Sequence, residues 1–133
     1  MNHVAAAGKR ILIVDDSVEY LQFMQLLLDA EGFEAQIAPT TAAMREALQL
    51  RPPDLVVSDV RLPGDDAFAV LDLLRADEAT RHIPILLCTG AVQDIEERAD
   101  RLERDGIEVL FKPFDIDVLL ERVSRLCGLQ APA

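Results

Sequence analysis

Ile11-Leu12-Ile13-Val14-Asp15-Asp16 is a run of four aliphatic residues, three of them β-branched, that ends in two adjacent carboxylates. A strand that is apolar at every position, rather than at every second one, has both faces covered, as in a parallel sheet. Related runs recur at Glu34–Ala38, Leu55–Ser58, Ile83–Cys88 and Glu108–Phe111, and all but the Glu34 run are nearly continuous in apolar character. Successive runs start 21 to 28 residues apart. A parallel crossover through a helix needs about a dozen residues or more, so each interval has room for one. Helical spacing fills the intervals. Leu21, Met24, Leu27 and Leu28 recur by threes and fours before Gly32, and a Thr40 or Thr41 cap opens a helix through Leu48 that Pro52-Pro53 closes. Phe68, Val70, Leu71 and Leu74 mark a third helix, and Ile95, Ala99 and Leu102 a thin stripe on a charged fourth that stops near Gly106. Asp115 stands at the N-cap of the last helix, with Val118, Leu119, Val123 and Leu126 inward and Gly128 after it. Five βα units predict an α/β fold, a doubly wound parallel five-stranded sheet.

Composition bounds the function. The 133 residues suit one domain, and half of them are hydrophobic. Twenty-four acidic against 13 basic residues leave a formal charge of −11, which argues against direct contact with nucleic acid. No apolar run is long enough to cross a bilayer, and the first ten residues lack the pattern of a signal peptide. Cys88 and Cys127 make no disulfide framework. The expectation is a cytoplasmic domain spanning residues 9–127, with a flexible leader at 1–8 and a tail at 128–133.

In a doubly wound sheet, ligands bind beyond the carboxyl ends of the strands. Asp15 and Asp16 follow the first run, Asp59 the third, Thr89 the fourth and Lys112-Pro113 the fifth, while the second ends in the uncharged Ala38-Pro39. This places runs 1 and 3 at the centre of the sheet and run 2 at an edge. Each feature alone has a plain reading: an acidic pair as a helix cap, Asp59 as the opening of the Arg61-Leu62-Pro63-Gly64 turn, Lys112-Pro113 as a loop. Together they make a site. Three carboxylates brought close repel one another and call for a cation, and oxygen ligands without His or Cys favour a hard ion such as Mg²⁺. Lys112 adds a compact positive charge suited to a phosphate oxygen, and Thr89 a hydroxyl beside the small Gly90. An aspartate can attack a phosphoryl group and hold it as an acyl phosphate.

Ile11-Leu-Ile-Val-Asp-Asp16, Asp59-Val-Arg-Leu-Pro-Gly-Asp-Asp66, Leu87-Cys-Thr-Gly90 and Phe111-Lys-Pro-Phe114 resemble, in order and spacing, the receiver domains of bacterial two-component response regulators. The resemblance covers residues 9 to 127 and implies a flavodoxin-like strand order of 2-1-3-4-5. It implies that Asp59 is the phosphoacceptor, Asp16 a direct Mg²⁺ ligand, Asp15 its water-mediated companion and the Arg61 backbone carbonyl a further ligand. Thr89 would be the switch hydroxyl and Lys112 the partner of the phosphoryl oxygens. The implied function is a phosphorylation-dependent signalling switch that catalyses only its own phosphorylation and dephosphorylation. Its phosphoryl donor would be a histidine kinase or histidine phosphotransfer protein. A downstream protein partner would be met at the surface of the fourth helix, fifth strand and fifth helix, either in a stand-alone receiver or in the receiver part of a longer regulator.

Three positions depart from the family's common pattern. Val109 stands where an aromatic is usual, Ala67 where a glycine often follows the turn, and Arg61 is bulkier than many occupants of its place. Two other readings stay open: an unphosphorylated docking module, and a haloacid-dehalogenase-type phosphatase. The latter places its nucleophile and acid two residues apart after the first strand, whereas here the acids are adjacent and Asp59 follows the third. His82, at the opposite end of the sheet, reads as a surface loop residue, and Cys88 as a small hydrophobe.

Overall fold

The computed structural model describes residues 8–59 and 68–129. Within them lie β1 (Arg10–Val14), α1 (Val18–Ala30), β2 (Glu34–Ala38), α2 (Thr41–Leu50), β3 (Leu55–Ser58), α3 (Ala69–Ala76), β4 (Ile85–Thr89), α4 (Val92–Glu97), α5 (Ala99–Arg104), β5 (Glu108–Phe111) and α6 (Ile116–Leu126). The strands form one parallel sheet in the order β2-β1-β3-β4-β5. The continuous apolar runs are explained by two cores. Leu12, Val14, Val56, Ile85 and Leu87 point to one face, against Met44 of α2, Leu71 and Leu74 of α3, Ile95 of α4 and Leu102 of α5. Ile11, Ile13, Leu55, Val57, Leu86 and Cys88 point to the other, against Leu21, Met24 and Leu28 of α1 and Leu119 and Val123 of α6. Alternate residues of a strand face opposite ways, so a strand covered on both sides is apolar throughout.

Two local expectations are modified. The fourth crossover is two short helices that meet at Arg98, whose backbone (φ −116°, ψ 16°) leaves the helical region. The Arg98 N–H turns back to the Ile95 carbonyl at 3.2 Å, while Leu102 N–H keeps a helical bond to the Arg98 carbonyl at 3.0 Å. Ile95 and Leu102 therefore both stay on the core despite the break. Asp115 does occupy the N-cap of α6, but its side chain makes no capping hydrogen bond. Gly32, in contrast, closes α1 as expected. Its φ of +93° is open to glycine at little cost, and it lets the Phe33 N–H reach the Leu28 carbonyl at 3.1 Å and bury the Phe33 ring.

The register then decides which side chains share an end of the sheet. Val14 pairs with Ser58, Ser58 with Leu87, and Thr89 with Phe111. The next residues along β1, β3 and β5 are Asp15, Asp59 and Lys112, so these and Thr89 emerge along one edge. His82 is exposed, and both cysteines are buried and free.

Two leucines two positions apart on α1 test this packing. Leu28 is fully buried and Leu26 is 73% exposed. Leu28→Ala is expected to cost about 2–5 kcal/mol in urea unfolding, and Leu26→Ala less than about 0.5 kcal/mol. Equal losses would contradict the assignment of α1's inner face.

Candidate functional site at the strand ends

Asp15 is held from both sides. Its backbone N–H donates to the Ala38 carbonyl at 3.3 Å, and its Oδ1 accepts from the Ser17 N–H at 2.9 Å. Ser17 is also the N-cap of α1, its Oγ accepting from the Tyr20 N–H at 3.2 Å, so the turn that starts the helix aims the carboxylate. Asp59 leaves β3 with its N–H on the Val14 carbonyl at 3.1 Å, and the Ser58 hydroxyl donates to its carbonyl at 2.8 Å. Lys112 leaves β5 with its N–H on the Thr89 carbonyl at 2.9 Å. The Lys112–Pro113 peptide bond is cis.

The ammonium of Lys112 joins the two carboxylates. Nζ donates to Asp15 Oδ2 at 3.1 Å and to Asp59 Oδ2 at 3.2 Å. These are partly buried pairs, with side-chain exposures of 4% for Asp15, 17% for Asp59 and 28% for Lys112. Burial raises the Asp15 carboxyl above its ordinary 3.8, against the opposing pull of the Ser17 N–H and Lys112. Burial also works against the Lys112 ammonium, but the hydrogen bonds and charges of Asp15 and Asp59 outweigh it and hold the group above its ordinary 10.5.

Thr89 is buried, and its Oγ1 accepts from the Ala91 N–H at 3.0 Å at the entrance to α4. Asp16 is exposed. Sequence reasoning thus named four residues that the register brings to one end of the sheet, Asp15, Asp59, Thr89 and Lys112, and the structure joins Asp15, Asp59 and Lys112 directly. Arg61 and Ala67 lie outside the described residues. Among the described residues no group of three or more His, Cys, Asp or Glu side chains is drawn together around a metal position, and the cation between Asp15 and Asp59 is Lys112 itself. The donor chemistry nonetheless suits a hard ion, since Asp15, Asp16 and Asp59 offer only oxygen. Burial pushes the thiol of Cys88, near the end of β4, up to about 12, so it adds no negative charge to the site at neutral pH.

One residue was missed. Tyr20, the only tyrosine of the chain, sets its ring against Lys112, with Nζ 4.1 Å from the ring centroid. Its place in the first turn of a helix that follows the acidic pair was the available signal. A second cation–ring contact stands beyond the residues that follow Asp59: the Arg98 guanidinium lies 4.6 Å from the centroid of the Phe68 ring. Arg101, in the next turn, pairs with Asp72 of α3.

The raised Asp15 carboxyl gives a pH test. Ionising it costs stability, so the folded state loses nothing on this account below the ordinary value of 3.8 and loses progressively as pH rises through the higher folded value. Asp15→Asn, melted in chelator, is expected to be at least as stable as the parent at neutral pH, with the advantage vanishing in acid. An advantage that grew towards acid would reverse the sign and refute the burial argument. The Lys112 contribution has the same slope at the alkaline end: it is fully present below 10.5 and is lost as pH rises through the higher folded value.

Comparison with known proteins agrees with this fold. The family model described as the response regulator receiver domain matches residues 11–124. The chain is 36% identical over 118 residues to the DNA-binding dual master transcriptional regulator RpaA of Synechocystis sp., covering 88% of this chain and 48% of that protein. It is 39% identical over 120 residues to the response regulator PleD of Caulobacter vibrioides, covering 88% of this chain and 26% of that protein. The chain therefore spans half or less of the length of these curated relatives. Among solved structures, the chemotaxis protein CheY4 of Vibrio cholerae superposes with a TM-score of 0.80 at 26% identity, covering 90% of this chain and 99% of that one. A sheet in the order 2-1-3-4-5 with paired carboxylates and a lysine at its carboxyl end, matched by the family model over most of its length, means that this chain belongs to the response regulator receiver domain family.

Proposed function

We propose that Asp59 accepts a phosphoryl group and that residues 9–127 act as a phosphorylation-dependent switch. The observation that carries this reading is the Lys112 ammonium shared by Asp15 and Asp59 at 3.1 and 3.2 Å. It keeps Asp59 beside a cation that can follow the charge onto an incoming phosphoryl group. An Asp59 carboxylate oxygen forms the new bond to phosphorus while the bond from phosphorus to the donor breaks, and the leaving group takes its proton from the donor or from water. Lys112 then exchanges a carboxylate oxygen for a phosphoryl oxygen as its acceptor. Asp15, Asp16, Asp59 and the Arg61 carbonyl are the groups that would hold Mg²⁺, which receiver domains generally use. When bound, the ion supplies charge neutralisation for the carboxylates and the transferring phosphoryl oxygens.

Response regulators receive the group from histidine kinases, and the donor here is such a kinase or a histidine phosphotransfer protein. No helix among the described residues is long and apolar enough to cross a membrane, in keeping with a cytoplasmic place of action. No external metabolite is turned over in this reading. The output is read by a protein partner at the surface of α4, α5, β5 and α6.

The way the signal leaves the site follows from Thr89. Its hydroxyl accepts from Ala91, the residue that caps α4. Turning that hydroxyl towards a phosphoryl oxygen releases the Ala91 N–H and loosens the start of α4. Val109 is half-buried, packed against the core cluster that holds Ile95, Leu102 and Ile107, and its short, χ1-restricted side chain has no ring to swing inward. Differential contacts, which alone shift a population, are thus concentrated in the segment from Thr89 to Ile95.

Incubation with acetyl phosphate and Mg²⁺ is expected to add about 80 Da, the mass of one phosphoryl group on a carboxylate, to the parent and nothing to Asp59→Asn. Modification of the variant to the parental extent would move the acceptor elsewhere. Beryllofluoride, a stable phosphoryl mimic, is expected to change amide exchange across Thr89 to Ile95 and to leave Glu108–Phe111 nearly as it was. The converse pattern would overturn the proposed route.

A further inference from the structure

Tyr20 has an unusual place for the most polar of the aromatic rings. It stands in the first turn of α1, next to the inward-facing Leu21, and is itself partly buried against the core on the α1–α6 side of the sheet. Its hydroxyl is buried near the Cys88 thiol and has no geometrically sound hydrogen-bond partner among the described residues. A buried hydroxyl without a good partner costs stability, so the fold gains nothing from it. The ring is what the site uses. Its face lies 4.1 Å from Lys112 Nζ, inside the range in which the negative face of an aromatic attracts an ammonium.

The placement is built from the same residues that aim the carboxylate. Ser17 donates its N–H to Asp15 Oδ1 and accepts the Tyr20 N–H on its Oγ, so one turn sets the spacing between the carboxylate and the ring. Lys112 reaches this point on a long, flexible stem. Two carboxylate oxygens draw its ammonium from one side, and the ring closes another. A ring face takes no conventional hydrogen bond and displaces water there, which leaves the N–H donors to the oxygens of Asp15 and Asp59.

We propose that Tyr20 is a positioning residue for phosphoryl transfer, seating the Lys112 ammonium against its ring so that the ammonium's donors are directed at Asp15, Asp59 and the phosphoryl oxygens that follow. This rests on the reading of Asp59 as acceptor. Tyr20 touches neither the acceptor nor the phosphoryl group in this role and acts only through Lys112.

The test combines a spectroscopic signature with kinetics. Methylene protons beside an aromatic face are shifted upfield by its ring current, so Lys112 Hε resonances are expected upfield in the parent and in Tyr20→Phe, and at ordinary positions in Tyr20→Leu. That readout needs no phosphorylation. With acetyl phosphate and Mg²⁺, Tyr20→Leu is expected to incorporate phosphoryl about fivefold more slowly, the factor of one partly desolvated cation–π contact, and Tyr20→Phe to restore the rate. In a Lys112→Met background, Tyr20→Leu is expected to have no further effect. Tyr20→Met serves in its place if the leucine variant does not fold. Lys112 resonances at ordinary positions in a parent that is modified normally would overturn the role of Tyr20 alone. So would a parental rate in Tyr20→Leu, failure of Tyr20→Phe to restore it, or the same loss in both backgrounds. A parent that takes no phosphoryl group would overturn the acceptor reading and the transfer role with it.

Discussion

The site depends on one arrangement of charge: the Lys112 ammonium placed between the carboxylates of Asp15 and Asp59. Asp15 is almost wholly removed from water, and a buried carboxylate is costly unless it is paired and hydrogen-bonded. Here it has both kinds of support, from Lys112 on one oxygen and the Ser17 N–H on the other. The cost that remains shows as a carboxyl raised above its ordinary value. A pair of this kind is weak evidence for stability and better evidence for function, because perturbed groups converge where chemistry is done.

Three separate features of the fold make that convergence possible. Parallel pairing sends every strand the same way, so the residues just past β1, β3 and β5 share one end of the sheet. Two cores, one on each face, hold those strands in a single register, since a slip by one residue would exchange the residues of the two faces. Local capping then directs individual groups. The Ser17 turn aims Asp15 and Tyr20, and the Ala91 N–H holds the Thr89 hydroxyl away from solvent.

The same geometry bears on the valine at 109. Thr89 already contacts the residue that starts α4, and the break at Arg98 divides the crossover into two short helices with separate anchors. Arg98 lies over Phe68 and Arg101 pairs with Asp72, so the second anchor ties α5 to the start of α3, just beyond the residues that follow Asp59. Val109 itself is packed on the core cluster that holds Ile95 and Leu102.

Much of this was legible in the chain. Continuous apolar runs at spacings of 21 to 28 residues specify a parallel sheet because only two-sided burial explains them, and the polar residues that end those runs name the site because ligands of such sheets bind at strand ends. The motifs around Asp15, Asp59, Thr89 and Lys112 named the family for the same reason: their order follows the strands. What sequence left open depends on contacts between residues far apart in the chain. Asp15 and Lys112 are 97 positions apart, and no local pattern says that the ammonium lies between two carboxylates or that a helical tyrosine faces it. The break at Arg98 was equally hidden, since the spacing of Ile95 and Leu102 fits a continuous helix and a broken one alike. Periodicity reports which side of an element is buried. The partner that a buried charge finds is decided only when the sheet brings distant strand ends together.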